Sequence, residues 1–203
     1  MEDIHKRLGG RVVLEGCSLA VAAGETVAIL GPNGSGKSTL LRVAAATSRP
    51  DRGQVLLGGI DVRKDPDKAR RKASLLLQQA PVYAELTPHE HLRWWSKVWG
   101  LRLPPAAIEQ ATLACGLGHH AHQPAATLSR GQQQRLALAM AILPDAPLLV
   151  LDEPYAALDA EGTAWLDAGL AARTGATLLA LHDPGQAHRL ADRSCHLAGG
   201  RLA

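Results

Sequence analysis

Cysteine is scarce in this chain: Cys17, Cys115 and Cys195 are the only three, far apart and without a CxxC pair. That odd number and spacing support neither a disulfide framework nor a zinc knuckle, and suit a reducing compartment. An excess of one charge is also lacking. The 22 basic and 19 acidic residues leave a net +3, too little to single out nucleic acid as a partner on electrostatic grounds. Long apolar runs are missing as well. No basic start joins an apolar stretch at the N-terminus, and the longest apolar region, Leu136 to Leu151, is broken by Pro144, Asp145 and Pro147. Neither a secretory signal nor a membrane span is expected, and no repeat of about 20 to 50 residues is visible.

What is present suits one domain, at most with a subdomain inserted in it. The 203 residues are 46% apolar and 20% charged, which excludes disorder and fibrous repeats and allows a real core. Short apolar runs alternate with helical patterns: Glu25 to Leu30 and Ser74 to Gln78 are strand-like, Lys37 to Ala46 helix-like. Such alternation predicts parallel strands with crossover helices. Between Thr87 and Leu143 the strand signals stop, and helical stretches follow at Thr87 to Trp99, Pro105 to Cys115 and Ser129 to Ile142. Strand-like runs resume at Pro147 to Leu151 and Ala176 to Leu181, around a helical Ala160 to Ala172. The expected organisation is an α/β core over 1–79 and 143–203, with a helical subdomain over about 80–142.

Gly31-Pro32-Asn33-Gly34-Ser35-Gly36-Lys37-Ser38 matches GxxxxGK[ST], between the apolar run Thr26 to Leu30 and the helical run that Thr39 continues. A polyphosphate needs donors without bulky side chains in the way, and Gly34 and Gly36 let the backbone turn its N–H groups inward. The helix start adds partial positive charge. Lys37 suits the β and γ phosphates as a point cation, and the Ser38 hydroxyl is a hard oxygen ligand for Mg²⁺. The plainer alternative, an ordinary glycine-rich turn, does not explain the strand–loop–helix context.

Leu148 to Glu153 reads as a buried strand that ends in two carboxylates, which a parallel sheet delivers to its ligand edge. Asp152 suits Mg²⁺ held through water, and Glu153 can orient or deprotonate an attacking water. Taken alone, Asp-Glu-Pro is equally the start of a turn.

Leu128-Ser129-Arg130-Gly131-Gln132 has the form of a capping box, Ser129 capping the N3 amide and Gln132 reaching back. The segment also resembles LSGGQ, the signature of ATP-binding cassette (ABC) proteins. Its companions are the phosphate loop, Asp152-Glu153, an Ala157-Leu158-Asp159 similar to the family's D-loop, and His182 after a strand, as the switch histidine stands. The resemblance spans nearly the whole chain. It implies a P-loop NTPase fold of ABC type: a RecA-like parallel sheet, a small antiparallel β subdomain and an inserted helical subdomain.

For the site, the resemblance implies that ATP is held by Gly31, Pro32, Asn33, Gly34, Ser35, Gly36, Lys37, Ser38 and Thr39, and from an opposing copy by Ser129, Gly131, Gln132 and Asp159. It implies Mg²⁺ at Ser38, Asp152 and the Q-loop glutamine, and catalysis by Glu153, His182 and that glutamine. Gln78 and Gln79 both end a strand-like run, and the spacing to Leu86-Thr87 favours Gln79. Three features depart from the pattern. Arg130 replaces a glycine. Leu8 stands where an adenine-stacking aromatic is usual, in a chain without phenylalanine. The start Met1 to Ile4 looks short for a first strand, so an incomplete antiparallel edge is expected.

Three further segments have plain and functional readings. Thr87-Pro88-His89-Glu90 is another capping box, opening a helix with Trp94, Trp95, Val98 and Trp99. That helix either packs within the insertion or receives a membrane subunit, as in the family. His119, His120 and His122 lack a carboxylate or thiol cluster and read as a solvated loop rather than metal ligands. The basic stretch Arg63 to Lys72 reads as a solvated helix face rather than an RNA or lipid site.

The function implied is the ATP-hydrolysing subunit of an ABC transporter, pairing head to tail with itself or a related ATPase subunit. Integral membrane subunits would supply the path, with the chain peripheral on the cytoplasmic face of the inner membrane, and nucleic acid is not expected as a partner. Within the family, the short chain, the Gln79 to Leu86-Thr87 spacing and the run Leu92 to Leu101 look most like the haem-exporter ATP-binding subunits of cytochrome c biogenesis, the CcmA type. Alternatives are a soluble ABC ATPase switch on ribosomes or DNA, and a nucleotide-binding subunit that does not turn over.

Overall fold

The computed structural model describes residues 1–78 and 82–203, in two compact units. Gln79, the expected Q-loop glutamine, lies outside the described residues. The first unit comprises Met1–Leu77, Ala146–Glu153 and Thr174–Ala203. It carries a six-stranded sheet, in spatial order, of β11 (Arg201–Leu202), β10 (Arg193–Ala198), β3 (Thr26–Leu30), β9 (Ala176–Leu181), β8 (Leu148–Asp152) and β7 (Ala73–Leu76). All neighbours pair in parallel except β10 with β11. Every residue of β8 and β9 is buried, which is why their sequences, apart from Thr177 and the terminal Asp152, are apolar without alternation: both faces of a parallel sheet are covered. α1 (Lys37–Ala44) buries Leu40, Leu41, Val43 and Ala44 in the same core as Ile29, Val150 and Leu178.

A second sheet is antiparallel, with β1 (Glu2–Leu8) between β2 (Arg11–Cys17) and β4 (Arg52–Gln54). The expected incomplete edge is therefore corrected: β1 is a full seven-residue central strand, anchored by Ile4, which is fully buried opposite Cys17. Three Gly-Gly dipeptides, at 9–10, 58–59 and 199–200, close the hairpins β1–β2, β5–β6 (Leu56–Leu57 with Ile60–Asp61) and β10–β11. Both glycines have positive φ in each, the type I′ geometry whose twist matches paired strands. Asp65 caps the short α2 (Pro66–Arg70) in the basic stretch, its side chain accepting from the Lys68 amide.

The second unit comprises Gln78–Asp145 and Pro154–Arg173, a wider span than the expected helical insertion. Its helices are α3 (Pro88–Val98), α4 (Pro105–Ala114), α5 (Arg130–Ile142) and α6 (Ala160–Ala171). Leu92, Ile108, Leu117, Leu136 and Met140 form its core. All three cysteines are free, and burial pushes the Cys115 thiol up to about 11, which makes it inert packing rather than a nucleophile. Among the described residues, no helix is long and apolar enough to cross a membrane.

Ile29 is fully buried in β3, directly beneath the phosphate loop, so Ile29→Ala removes three carbons that neighbours cannot refill. The expected loss is about 2–5 kcal/mol of unfolding free energy, read from a lowered urea midpoint. A midpoint unchanged from the parent would contradict the core assigned here.

Candidate active site

Register explains the site. Leu30 of β3 lies level with Leu181 of β9, and Ala180 lies level with Asp152 of β8. Three adjacent strands therefore end together, and each releases a reactive segment at the same edge. After β3 comes the loop Gly31 to Gly36, after β9 comes His182, and β8 ends on Asp152-Glu153.

The loop is shaped for an anion. Gly34 and Gly36 have φ of 78° and 105°, a region open to glycine at little cost. At Gly36 a Cβ would also approach the Val13 carbonyl oxygen at 3.0 Å. Gly36 is the N-cap of α1, and no side chain caps that helix, so its first amides keep their capacity for an anion. Lys37 is buried, its Nζ donating to the Gly31 and Pro32 carbonyls at 2.7 and 3.2 Å. The Ser35 hydroxyl is buried with no partner among the described residues.

Across from the loop, Ser38 Oγ donates to Asp152 Oδ2 at 2.6 Å. Asp152 is itself buried. Glu153 adopts φ of +51°, rare for a residue with a side chain, and its amide is held by the Ala180 carbonyl at 3.0 Å. Its Oε1 sits 3.1 Å from His182 Nε2, but not in line for a hydrogen bond, so that buried oxygen has no aligned donor among the described residues. Burial pushes the Glu153 carboxyl up to about 7; Lys37 opposes the rise, the Asp152 charge adds to it, and the His182 amide opposes it. A base tuned near neutrality is what proton abstraction from water requires. All these residues belong to the first unit.

Ser129, Gly131, Gln132 and Asp159 belong to the second unit. The expected capping box on α5 is complete: Ser129 Oγ accepts from the Gln132 amide at 3.3 Å, and Gln132 Oε1 accepts from the Ser129 amide at 2.9 Å. Gly131 is required by packing, because a Cβ there would stand 2.7 Å from the Ala157 carbonyl oxygen. Arg130, whose own position is exposed, meets no such limit.

Sequence reasoning missed Arg135. This buried guanidinium pairs with Asp159 and, at 3.2 Å, with Glu161. Burial works against its charge, but the two carboxylates outweigh that and raise its pKa. Asp159 also caps α6 by accepting from the Gly162 amide at 2.8 Å, and that bond, then Arg135, lowers its pKa. Arg135 thus ties α5 to the segment that carries Asp159. The only advance signal is an arginine that directly precedes the apolar helical run starting at Leu136.

Two surfaces differ from the plain readings. In α3, Trp95 packs against the helical core, whereas Trp94 is 39% exposed and Val98 57%. Tyr83 meets Trp94 edge-on at 5.5 Å. The solvated histidine loop needs a correction: His119 and His122 are exposed, but His120 is partly buried and bonded to Gln123 and Gln132. The described residues contain no His/Cys/Asp/Glu group suited to a metal. Leu8, at the expected adenine position, is 48% exposed.

The sequence matches the family described as ABC transporter over residues 14–156. It is 38% identical over 185 residues to the cytochrome c biogenesis ATP-binding export protein CcmA 2 of Salmonella paratyphi A, covering 90% of this chain and 88% of that one. It is 37% identical over 211 residues to the phosphate import ATP-binding protein PstB 2 of Natronomonas pharaonis, covering 95% and 74%. Its fold is similar to that of an ATP-binding subunit of an ABC transporter, with TM-score 0.89, 29% identity and 99% and 86% coverage. It is also similar to a dimeric ATP-binding cassette in a post-hydrolysis state bound to ADP and Pi, with TM-score 0.86, 26% identity and 99% and 94% coverage.

Gly131→Ala should disturb the start of α5, since its neighbour is backbone and cannot swing aside. We expect a loss of about 1–3 kcal/mol of stability, with Arg130→Gly as the control that stays near the parent. Equal thermal midpoints for G131A and the parent would refute the close approach.

Proposed function

The chain belongs to the ABC transporter family and is an ATPase with that family's P-loop α/β fold; from that premise we propose how its residues divide the work. The observation that carries the reading is the juxtaposition at one sheet edge of Lys37, the Ser38–Asp152 pair and the buried Glu153 beside His182. Amides of Gly34 to Thr39 surround the phosphates of ATP, and Lys37 leaves its loop carbonyls to meet the β and γ groups. Pro32, Asn33 and Ser35 shape the loop that presents them.

The oxygens of Ser38 and Asp152, joined by the 2.6 Å hydrogen bond, would hold Mg²⁺, a hard cation that takes oxygen ligands, Asp152 through water. When bound, Mg²⁺ neutralises phosphate charge; the expected further contact from Gln79 is part of the same proposal. Glu153 takes a proton from the water that attacks the γ phosphorus, and His182 orients that water or the γ-phosphate. ADP departs with its new charge balanced by Lys37.

Ser129, Gly131, Gln132 and Asp159 then act on a nucleotide bound by a second copy, or by a related ATPase subunit, in a head-to-tail pair. The similarity to a dimeric cassette supports this arrangement. A membrane subunit docks on the exposed Tyr83, Trp94 and Val98 surface, since aromatic residues are enriched at interfaces. The chain then lies peripherally on the cytoplasmic face of the inner membrane.

For the cargo we favour haem export in cytochrome c biogenesis, because the relative named for that process matches 88% of its own length and the run Leu92 to Leu101 has that type's character. Deleting the gene should abolish covalent haem attachment to c-type cytochromes, seen by haem staining. Normal cytochromes together with lost phosphate uptake would overturn haem export and favour an importer.

Two outcomes test the chemistry. Glu153→Gln should lower kcat by about 10²–10⁴ and accumulate an ATP-bound dimer on size exclusion; a monomer at saturating MgATP rejects the head-to-tail reading. The base must be deprotonated to act, and its carboxyl gains a proton below about 7. The parent's kcat should therefore fall as pH drops through about 7 and level off above it. A flat profile from pH about 6 to 8 excludes Glu153 as that base.

A further inference from the structure

The geometry points to His120 as a positioning residue that holds the signature segment through Gln132, in its neutral Nδ1–H form. The inference rests on the proposed role of Ser129 to Gln132 at a nucleotide held by a second copy.

The argument begins at the Ser129 amide, which can only donate. It donates to Gln132 Oε1 at 2.9 Å, and that fixes the side-chain amide: the NH₂ group points the other way. There it meets His120 Nε2 at 2.9 Å. An NH₂ group only donates, so Nε2 must accept and carries no proton. A neutral imidazole has one N–H, which then resides on Nδ1, and Nδ1 lies 3.0 Å from Gln123 Oε1, an acceptor. Each hydrogen bond thus determines the direction of the next, from Gln123 through His120 and Gln132 to the first residue of the signature.

Adding a proton to His120 reverses one link. Nε2 becomes a donor facing a donor, and relief requires Gln132 to turn its oxygen toward the ring. That withdraws the acceptor from the Ser129 amide and opens half of the capping box. The turn that carries His120 (Gly118–His120) follows α4, and the other titratable groups on it and on the adjoining helix starts are His119, His122, His89, Glu90 and Arg130. His89 stacks near His122, at 5.5 Å between ring centres, and Glu90 is engaged by Thr87. Among the described residues none of these charged or titratable groups is bonded to His120.

Glu153→Gln is the background for the test, because it removes the titration of the base itself. In that background MgATP-driven dimerisation should weaken on going from pH about 8 to about 6. Adding His120→Gln, whose oxygen accepts from Gln132 at any pH, should remove that dependence. Adding His120→Ala should weaken dimerisation roughly fivefold at both pH values, as loss of one supporting hydrogen bond does. The same pH dependence in the His120→Gln and parent backgrounds, or His120→Ala equal to the parent, overturns the inference while leaving the head-to-tail reading intact. No dimer from Glu153→Gln at any pH rejects that reading and this inference with it. A readout independent of dimerisation is the ring ¹⁵N spectrum of the monomer: the Nδ1–H tautomer is expected, and Nε2–H refutes the chain of bonds.

Discussion

Parallel pairing of β3, β9 and β8 is the constraint from which the catalytic edge follows. Their register sets Leu30, Leu181 and Asp152 at one end of the sheet, although these residues are far apart in the chain. Parallel strands need covered faces, so the price of the arrangement is strands composed almost entirely of apolar residues. Function is thereby confined to the strand ends, where the chain must leave the sheet in any case. A one-residue slip of β8 would exchange Asp152 for Leu151 at that edge.

That edge concentrates opposing charges in a small, partly dry volume. Asp152 and Glu153 are neighbours, and both carboxylates cannot be charged cheaply without cations close by. The Ser38 hydroxyl donates to Asp152, while Glu153 is pushed upward by burial against the opposing pull of Lys37. Two adjacent acids thus meet different surroundings: Asp152 faces a hydroxyl and offers oxygens to a cation, and Glu153 is poised to exchange a proton. The left-handed backbone at Glu153 belongs to the same logic, since strain of this kind persists only where the surroundings hold it, here through the Ala180 carbonyl.

Much of this is legible in the sequence because it is local. Eight consecutive residues carry the phosphate loop, a capping box spans four, and a buried strand ending in two acids is one short run. The Gly-Gly dipeptides carry an equally local hairpin signal, which apolar periodicity overlooks because it weighs side chains and glycine has none. Non-local partnerships are not legible. Nothing in the spacing of Glu153 and His182 says that their side chains approach to 3.1 Å; only the β8–β9 pairing does. Arg135 reads as the last of a polar stretch that opens α5 until Asp159 and Glu161 are seen around it. His120 reads as one of several loop histidines, and its bonds to Gln123 and to Gln132 of α5 are what set it apart.

The signature segment shows how few groups hold a functional helix start. Gln132 uses its backbone amide on Ser129 Oγ, its side-chain oxygen on the Ser129 amide and its side-chain nitrogen on His120. No hydrogen bond of that set can be reversed alone, because backbone N–H groups do not accept and a carboxamide has only one oxygen. Gly131 adds a steric condition from Ala157, and Arg135 fixes the same helix one turn later to Asp159. Arg130 sits between these constraints and meets none of them. A bulky cation is therefore tolerated at a position where the family pattern has glycine, while its neighbour remains glycine for want of space.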